Sequence, residues 1–189
     1  SALLFSDIAS SPHRTAIESL VTAGIIAGFE DGTFRPGDPV TRQQFAKMIV
    51  KTLGLSVTGT EVCPCTDVDA QSGTDPFYPS KYVAVCANAN ITKGTSTTTF
   101  APRSNITRQQ LITMVVRAAA ISEPPAGYVP PFNGTQFSLM EHFENARRAA
   151  HAGLLDGLQG VGPGYEFVTP ATRGECAQIL NNLLVKQTV

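Results

Sequence analysis

Thr41-Arg42-Gln43-Gln44 is the stretch around which the chain is organised, because the sequence contains it three times. It returns unchanged as Thr107-Arg108-Gln109-Gln110 and in altered form as Thr172-Arg173-Gly174-Glu175. Each copy follows a loop rich in small and turn-forming residues and precedes apolar residues at helical spacing. A recurrence at this interval indicates internal structural repeats.

The chain therefore divides into three helix–loop–helix units, each with a first helix (helix a), a turn-rich loop and a second helix (helix b). Helix b begins at the tetrad. We place unit one at residues 1–57, unit two at 58–121 and unit three at 122–189. Unit three opens with a Pro-rich linker at 122–131, a composition that suits an extended spacer.

One helix pair buries too little apolar surface to be stable alone, so the units should pack into a single domain. Apolar residues recur at matching positions of the three b helices, which predicts a central three-helix bundle. We expect a mainly α fold with pseudo-threefold symmetry, in which the a helices and loops form outer prongs with grooves between neighbours. A short β pinch is expected at Asp31-Gly32.

The composition argues against two classes of partner. The 189 residues carry a formal net charge of -1, which gives no electrostatic reason to expect nucleic acid or an anionic membrane. No apolar run approaches the roughly 20 residues that a membrane span needs. No signal peptide is apparent at the start of the sequence, and a processed or partial chain would look the same.

The Thr and Gln/Glu of the tetrad fit a capping box. The Thr at the N-cap accepts a hydrogen bond from the third helical amide, and the side chain at that third position returns one to the N-cap amide. The returning residues are Gln44, Gln110 and Glu175.

Capping does not account for the arginine, since a cation at the first helical position opposes the helix dipole. Two explanations remain open on the residues alone. The arginine and the free amides of the helix start could bind a carboxylate or phosphate. Alternatively, the arginine could pair with a carboxylate of another unit, for example Asp31 or Glu30.

The ordered motifs resemble the S-layer homology family, whose repeats come in threes and carry a Thr-Arg-Ala-Glu-like tetrad. Unit one matches best, through Phe5-Ser6-Asp7-Ile8, the Gly-Phe-Glu-Asp-Gly-Thr-Phe-Arg-Pro run at 28–36 and its tetrad. Unit two matches through Ile91-Thr92-Lys93-Gly94 and its tetrad. Unit three matches mainly through residues 152–157 and its tetrad.

The resemblance implies a non-catalytic, extracellular module of the bacterial cell surface that needs no cofactor or metal. Such modules anchor exported proteins non-covalently to cell-wall polysaccharide, typically one with pyruvate-ketal-modified N-acetylmannosamine. On this reading the arginines hold the pyruvate carboxylate, the threonines offer hydroxyls, and the glycines let the backbone approach the sugar. The implied glycan-binding residues are Arg42, Arg108, Arg173, Thr41, Thr107, Thr172, Gly28, Gly94, Gly157 and Asp31.

Departures from the family pattern predict unequal grooves. Gln replaces the usual Glu at positions 44 and 110, Thr97 stands where unit one has Asp31, and no Trp is present for sugar stacking. We expect Arg42 and Arg108 to matter more than Arg173.

Two other functions remain as alternatives: a protein-interaction or S-layer self-assembly module, and direct binding of peptidoglycan. Self-assembly through other parts of the parent protein is compatible with anchoring. The histidines and carboxylates form no recognisable catalytic set, so we predict no enzyme activity.

The internal alignment suggests how the four cysteines pair, if they form disulfides. Cys65 and Cys86 stand where unit one has Phe5 and Leu20, which are expected to touch, so we predict a Cys65–Cys86 bond. Cys63 and Cys176 form the remaining pair, although Cys176 also suits a helix core as a free thiol. A metal site is the weakest alternative, because Cys63-Pro64-Cys65 lacks the two-residue gap of zinc knuckles.

Overall fold

The computed structural model describes residues 3–187 and confirms the mainly α fold. The six α-helices of this part of the chain are α1 (Arg14–Thr22), α2 (Arg42–Leu53), α3 (Ser80–Asn88), α4 (Arg108–Ala119), α5 (Met140–His151) and α6 (Arg173–Gln187). A turn of 3₁₀ helix lies at Gly134–Gln136. No helix between residues 3 and 187 combines the length and the apolar composition that crossing a membrane requires.

The three b helices, α2, α4 and α6, contact one another at the centre. Both halves of the capping box are present at each start: the Thr hydroxyl accepts the third helical amide, and the Gln or Glu side chain accepts the N-cap amide. The buried face of each helix carries the expected apolar residues, among them Phe45, Ile49, Leu111, Val115, Ile179 and Leu183. These side chains belong to one continuous hydrophobic cluster with the loop aromatics.

Each a helix packs against a b helix of the preceding unit rather than its own. Helix α3 packs on α2 and α5 packs on α4, while α1 packs on α6 and so closes the ring. Isolated antiparallel bridges also join the units, at Pro39–Thr172, Thr41–Asn105 and Thr107–Pro170. The units are therefore interlocked, and none of them buries its own a helix against its own b helix.

In units one and two, the segment before helix a, which we call the lead-in segment, contains an aspartate that holds the loop of that unit. The Asp7 carboxylate accepts the amides of Phe34 and Arg35 at 2.9 and 2.8 Å. Asp67 accepts the amides of Phe100 and Ala101 in the same way.

In unit three a glutamine side chain holds the loop instead of an aspartate. The Gln136 side-chain amide donates to the carbonyls of Gly162 and Tyr165, each at 2.9 Å.

Two loop expectations need revision. The expected pinch at Asp31-Gly32 is a tight turn, closed by the Phe29 amide donating to the Thr33 carbonyl at 2.8 Å, with no strand on either side. The Pro-rich linker is held against α5, because Glu123 pairs with Arg147 and Arg148. A charged residue within the linker thus binds it to the helix that follows.

Replacing Asp67 by Ala should lower the free energy of unfolding by about 1 kcal/mol, because two loop amides lose their acceptor. Desolvation raises the pKa of this carboxyl, but the Ala101 and Phe100 amides outweigh it and hold the pKa below the ordinary 3.8. The loss of unfolding free energy in the variant should therefore be complete above about pH 4. It should shrink as the pH falls through the pKa of Asp67 in the folded protein.

Chemical denaturation across this pH range measures both effects. Asp69→Ala is the matched control, since Asp69 pairs only with the exposed Arg103, and it should stay within about 0.5 kcal/mol of wild type. An equal loss in both variants would contradict the role given to Asp67.

Candidate functional site

Each arginine of the tetrad crosses a unit boundary to the loop of another unit. The Arg42 Nε donates to the Phe100 carbonyl at 2.8 Å, and its guanidinium lies 4.6 Å from the centre of the Phe100 ring. Arg173 makes the same contacts with Phe34, at 2.9 and 4.4 Å. Burial lowers the pKa of both guanidinium groups, and only 5% of Arg42 is exposed. These arginines link units two to one and one to three.

Arg108 also contacts a ring of another unit, and in addition it binds a carboxylate. Its guanidinium lies 4.3 Å from the centre of the Tyr165 ring, and its Nε donates to Glu175 Oε2 at 3.0 Å. The Tyr165 hydroxyl donates to the same oxygen at 2.9 Å, and burial together with this carboxylate raises the tyrosine pKa. Tyr165 thus stands where the other loops have Phe34 and Phe100, which aligns a loop that the sequence left unmatched.

The helix starts do not offer free amides, which corrects the chemistry expected from the sequence. At α2, the amides of Arg42 and Gln43 donate to the carbonyls of Ser104 and Pro102, both at 2.9 Å. The corresponding amides of α4 and α6 donate to loop carbonyls of units three and one. With the third amide bonded to the cap, an anion could reach these amides only by displacing a loop.

Asp31 does not pair with a tetrad arginine. Its carboxylate accepts from the Thr33 hydroxyl and forms an ion pair with Arg35 at 3.1 Å, within its own loop. These contacts, the Thr33 hydrogen bonds first, hold its pKa below the ordinary value. The tetrad arginine that pairs with a carboxylate of another unit, among the described residues, is Arg108, with Glu175.

Packing within the protein explains why glycine stands at the three expected backbone positions. A Cβ at Gly28 would lie 2.0 Å from the Phe5 ring, and one at Gly157 would lie 2.7 Å from Gln178. At Gly94 it would lie 2.4 Å from a backbone carbonyl oxygen, in a turn where φ is +71°. Close approach of a sugar to these glycines stays a prediction.

Neither expected disulfide is formed, since all four cysteines are free thiols. The Cys86 Sγ lies 3.7 Å from the Ala46 carbonyl oxygen, so it faces α2 instead of the lead-in segment. Partial burial and the neighbouring Cys63 thiol raise the Cys65 pKa to about 11. Cys176 is fully buried in the core, and that burial raises its pKa.

The ring of units leaves three grooves at equivalent positions, each between a loop and the b helix of the same unit. We call them groove 1, groove 2 and groove 3 after that unit. Because of the cyclic packing, groove 1 contains Arg173 and groove 2 contains Arg42. By the same relation groove 3 corresponds to Arg108.

Groove 1 has a volume of about 750 Å³. Apolar and aromatic groups line much of it, including Phe29 and Tyr78, and the cations Lys47, Lys51 and Arg173 lie along it. Lys47 is neutralised by Asp75 at 2.7 Å. Lys51 is exposed and has no acidic partner within residues 3–187. A net positive charge therefore remains in a largely apolar groove.

Groove 2 is smaller, about 330 Å³, and contains Arg42, Lys93 and Arg117. Glu141 on α5 also lines it and pairs with Arg117 at 2.7 Å and with Lys93 at 3.2 Å. Two of the three cations thus already share a carboxylate of the protein.

Groove 3 is closed at its inner end by amide side chains. Gln178 lies against Gly157, and its Oε1 accepts a hydrogen bond from the His13 Nδ1 at 3.2 Å. The Asn182 amide donates to the carbonyls of Leu154 and Asp156 at 3.0 and 2.8 Å. The pocket of about 580 Å³ that remains outside is lined by the end of α5, the loop and the end of α6, without Arg108.

Lys51, Arg117 and Glu141 were missed by reasoning from the sequence. A signal for the two cations existed, because Lys51 and Arg117 occupy the same position in units one and two, where unit three has Asn182. Their relevance appears only once the packing shows that this position faces a groove.

Two segments of the chain match the S-layer homology domain model. They are residues 4–46 and 71–112, which cover the helix a, loop and b-helix start of units one and two. The family is supported for these two units, and no match to unit three accompanies them.

Curated relatives extend the similarity along the chain. An endoglucanase of Bacillus sp. (strain KSM-635) is 29% identical over 98% of this chain and 19% of its own length. A surface layer protein of Brevibacillus choshinensis is 32% identical over 70% of this chain and 12% of its own length. S-layer protein EA1 of Bacillus anthracis is 28% identical over 87% of this chain and 18% of its own length. The chain thus spans less than a fifth of each of these relatives.

The family match and the surface-layer relatives indicate a location at the cell surface or cell wall and support a cell-surface anchoring module. Two of the relatives are named as enzymes, the endoglucanase and an uncharacterized cell wall amidase of Bacillus anthracis, but the shared segment is a minor part of each.

Arg42→Ala should lower the free energy of unfolding by about 2 kcal/mol, because it removes a buried charged hydrogen bond and a guanidinium–ring contact between units. Arg42→Lys should recover little of this loss, since an ammonium cannot reproduce the planar geometry. Chemical denaturation gives both values.

The matched control is Arg103→Ala, because the Arg103 side chain is 77% exposed. It should shift stability by less than about 0.5 kcal/mol. Wild-type stability in Arg42→Ala would show that the arginine does not hold the units together.

Proposed function

We propose that this chain anchors a longer exported protein to the bacterial cell wall by binding an anionic polysaccharide in groove 1. The observation that carries the proposal is the charge left in that groove. Arg173 and Lys51 line an open, largely apolar channel, and Lys51 has no acidic partner in the described part of the chain. The ligand we favour is a polysaccharide with pyruvate-ketal-modified N-acetylmannosamine.

The groove offers what such a sugar requires. A ketal pyruvate presents a carboxylate, for which a partly desolvated cation is the natural partner. The faces of sugar rings are apolar enough to pack on aromatic rings, and Phe29 is 37% exposed beside Arg173, whose guanidinium lies 4.9 Å from the centre of its ring. An aromatic ring and a cation thus lie side by side in the groove, and the Arg35 guanidinium, 3.8 Å from the centre of the Phe29 ring, covers part of that ring.

This placement changes the ranking of the tetrad arginines. We now give Arg173 the glycan-facing role, since it lies in the open groove. Arg108 is engaged by Glu175 beside the closed groove, and Arg42 is almost fully buried. The threonines act mainly as helix caps in this account.

Self-assembly is the second candidate function, supported by relatives that are named as S-layer proteins. In that case groove 1 would receive a side chain of a neighbouring subunit. Direct binding of peptidoglycan is the third. The three functions differ in the molecule that must be removed to abolish binding.

A pull-down with purified cell walls, before and after removal of the secondary polysaccharide, separates these functions. We expect wild type to bind intact walls and not stripped walls. Lys51→Glu should weaken binding about tenfold or more, because it reverses the unpaired charge of groove 1.

Lys186→Glu is the matched control, since Lys186 is an exposed lysine on a b helix at the mouth of groove 3. It should bind as wild type does. Binding to stripped walls would contradict the polysaccharide proposal, and equal weakening by both variants would contradict the assignment of groove 1.

A further inference from the structure

We infer that Glu141 is an internal competitor that keeps groove 2 closed to the acidic ligand, so that one groove of the three binds it. The inference rests on the proposed function of groove 1 and adds the number of ligands bound. Glu141 places a carboxylate between two cations at the position where an acidic sugar would bind.

In groove 2 the Glu141 carboxylate already contacts both cations. The Glu141 Oε1 atom lies 2.7 Å from an Arg117 nitrogen and 3.2 Å from the Lys93 ammonium. Arg117 is on α4 and Lys93 is in the loop of unit two, so the carboxylate bridges the two walls of the groove. The third cation, Arg42, is directed to the Phe100 carbonyl and is nearly inaccessible.

Groove 1 lacks this feature because the equivalent position carries a tyrosine. Helix α5 packs on α4 as α3 packs on α2. Aligning the buried residues Ala149 with Cys86 and Leu154 with Ile91 places Glu141 opposite Tyr78, and each of these two lines its groove. The cation that corresponds to Arg117 is Lys51. The two grooves therefore share the cation and differ in whether the protein supplies its counter-charge.

The charge of Glu141 disfavours the binding of an acidic ligand in groove 2. The Arg117 and Lys93 contacts hold the pKa of Glu141 below its ordinary value, so the carboxylate is charged at neutral pH. A ligand carboxylate that enters groove 2 meets a like charge and must displace it from both cations. The side chain is about half exposed, so its own ion pairs add little to stability and it can be replaced without loss of the fold.

Isothermal titration calorimetry with the methyl glycoside of pyruvate-ketal-modified N-acetylmannosamine tests the inference. Wild type should bind one equivalent. Glu141→Gln, which keeps the shape and removes the charge, should bind two. The matched control Glu18→Gln removes an equal charge from a partly exposed pair on α1 and should bind one equivalent. In the double variant Glu141→Gln, Lys51→Glu, one equivalent should remain, now in groove 2.

The outcomes separate this inference from the function on which it rests. One equivalent for both wild type and Glu141→Gln would overturn the inference and leave the proposed function standing. Two equivalents for wild type would also overturn it, because Glu141 would then exclude nothing. No binding by any variant would contradict the proposed function and the inference together. Circular dichroism confirms that each variant is folded.

Discussion

A guanidinium that crosses from the start of a b helix to the loop of another unit is the contact on which this structure depends. It occurs three times, with Phe100, Tyr165 and Phe34 as the ring partners of Arg42, Arg108 and Arg173. A planar, always charged group suits this position, because it can donate to a carbonyl and cover a ring simultaneously. Since each unit gives its a helix to another unit, these links and the helix packing close the same ring.

The same scaffold gives three grooves of different character through a few substitutions. Groove 1 keeps an unpaired lysine, groove 2 pairs the equivalent arginine with Glu141, and groove 3 replaces the cation by Asn182 and fills its inner end with Gln178. None of these changes touches the buried arginine link. Repeats fixed by a common core can therefore diverge at their binding surfaces without a cost to folding.

The sequence predicted the register of the repeats, the capped b helices and the mainly helical fold, because these depend on local spacing and apolar periodicity. It did not predict that α1 packs on α6 and α3 on α2, which is decided by tertiary packing. For that reason the sequence did not show which groove each arginine lies beside: the tetrad of one unit faces the loop of another. The occupied amides at Arg42 and Gln43 follow from the same exchange, and so does the position of Glu141 in groove 2.

The most direct test of the account is a crystal structure of the chain with the pyruvate-bearing methyl glycoside. We predict one sugar in groove 1, with its carboxylate within hydrogen-bond distance of Lys51 or Arg173 and its ring against Phe29. Grooves 2 and 3 should be empty of sugar. A sugar bound at a helix start in place of the Ser104 or Asp38 carbonyl would contradict the account, because the first helical amides would then bind the ligand and not the loop of another unit.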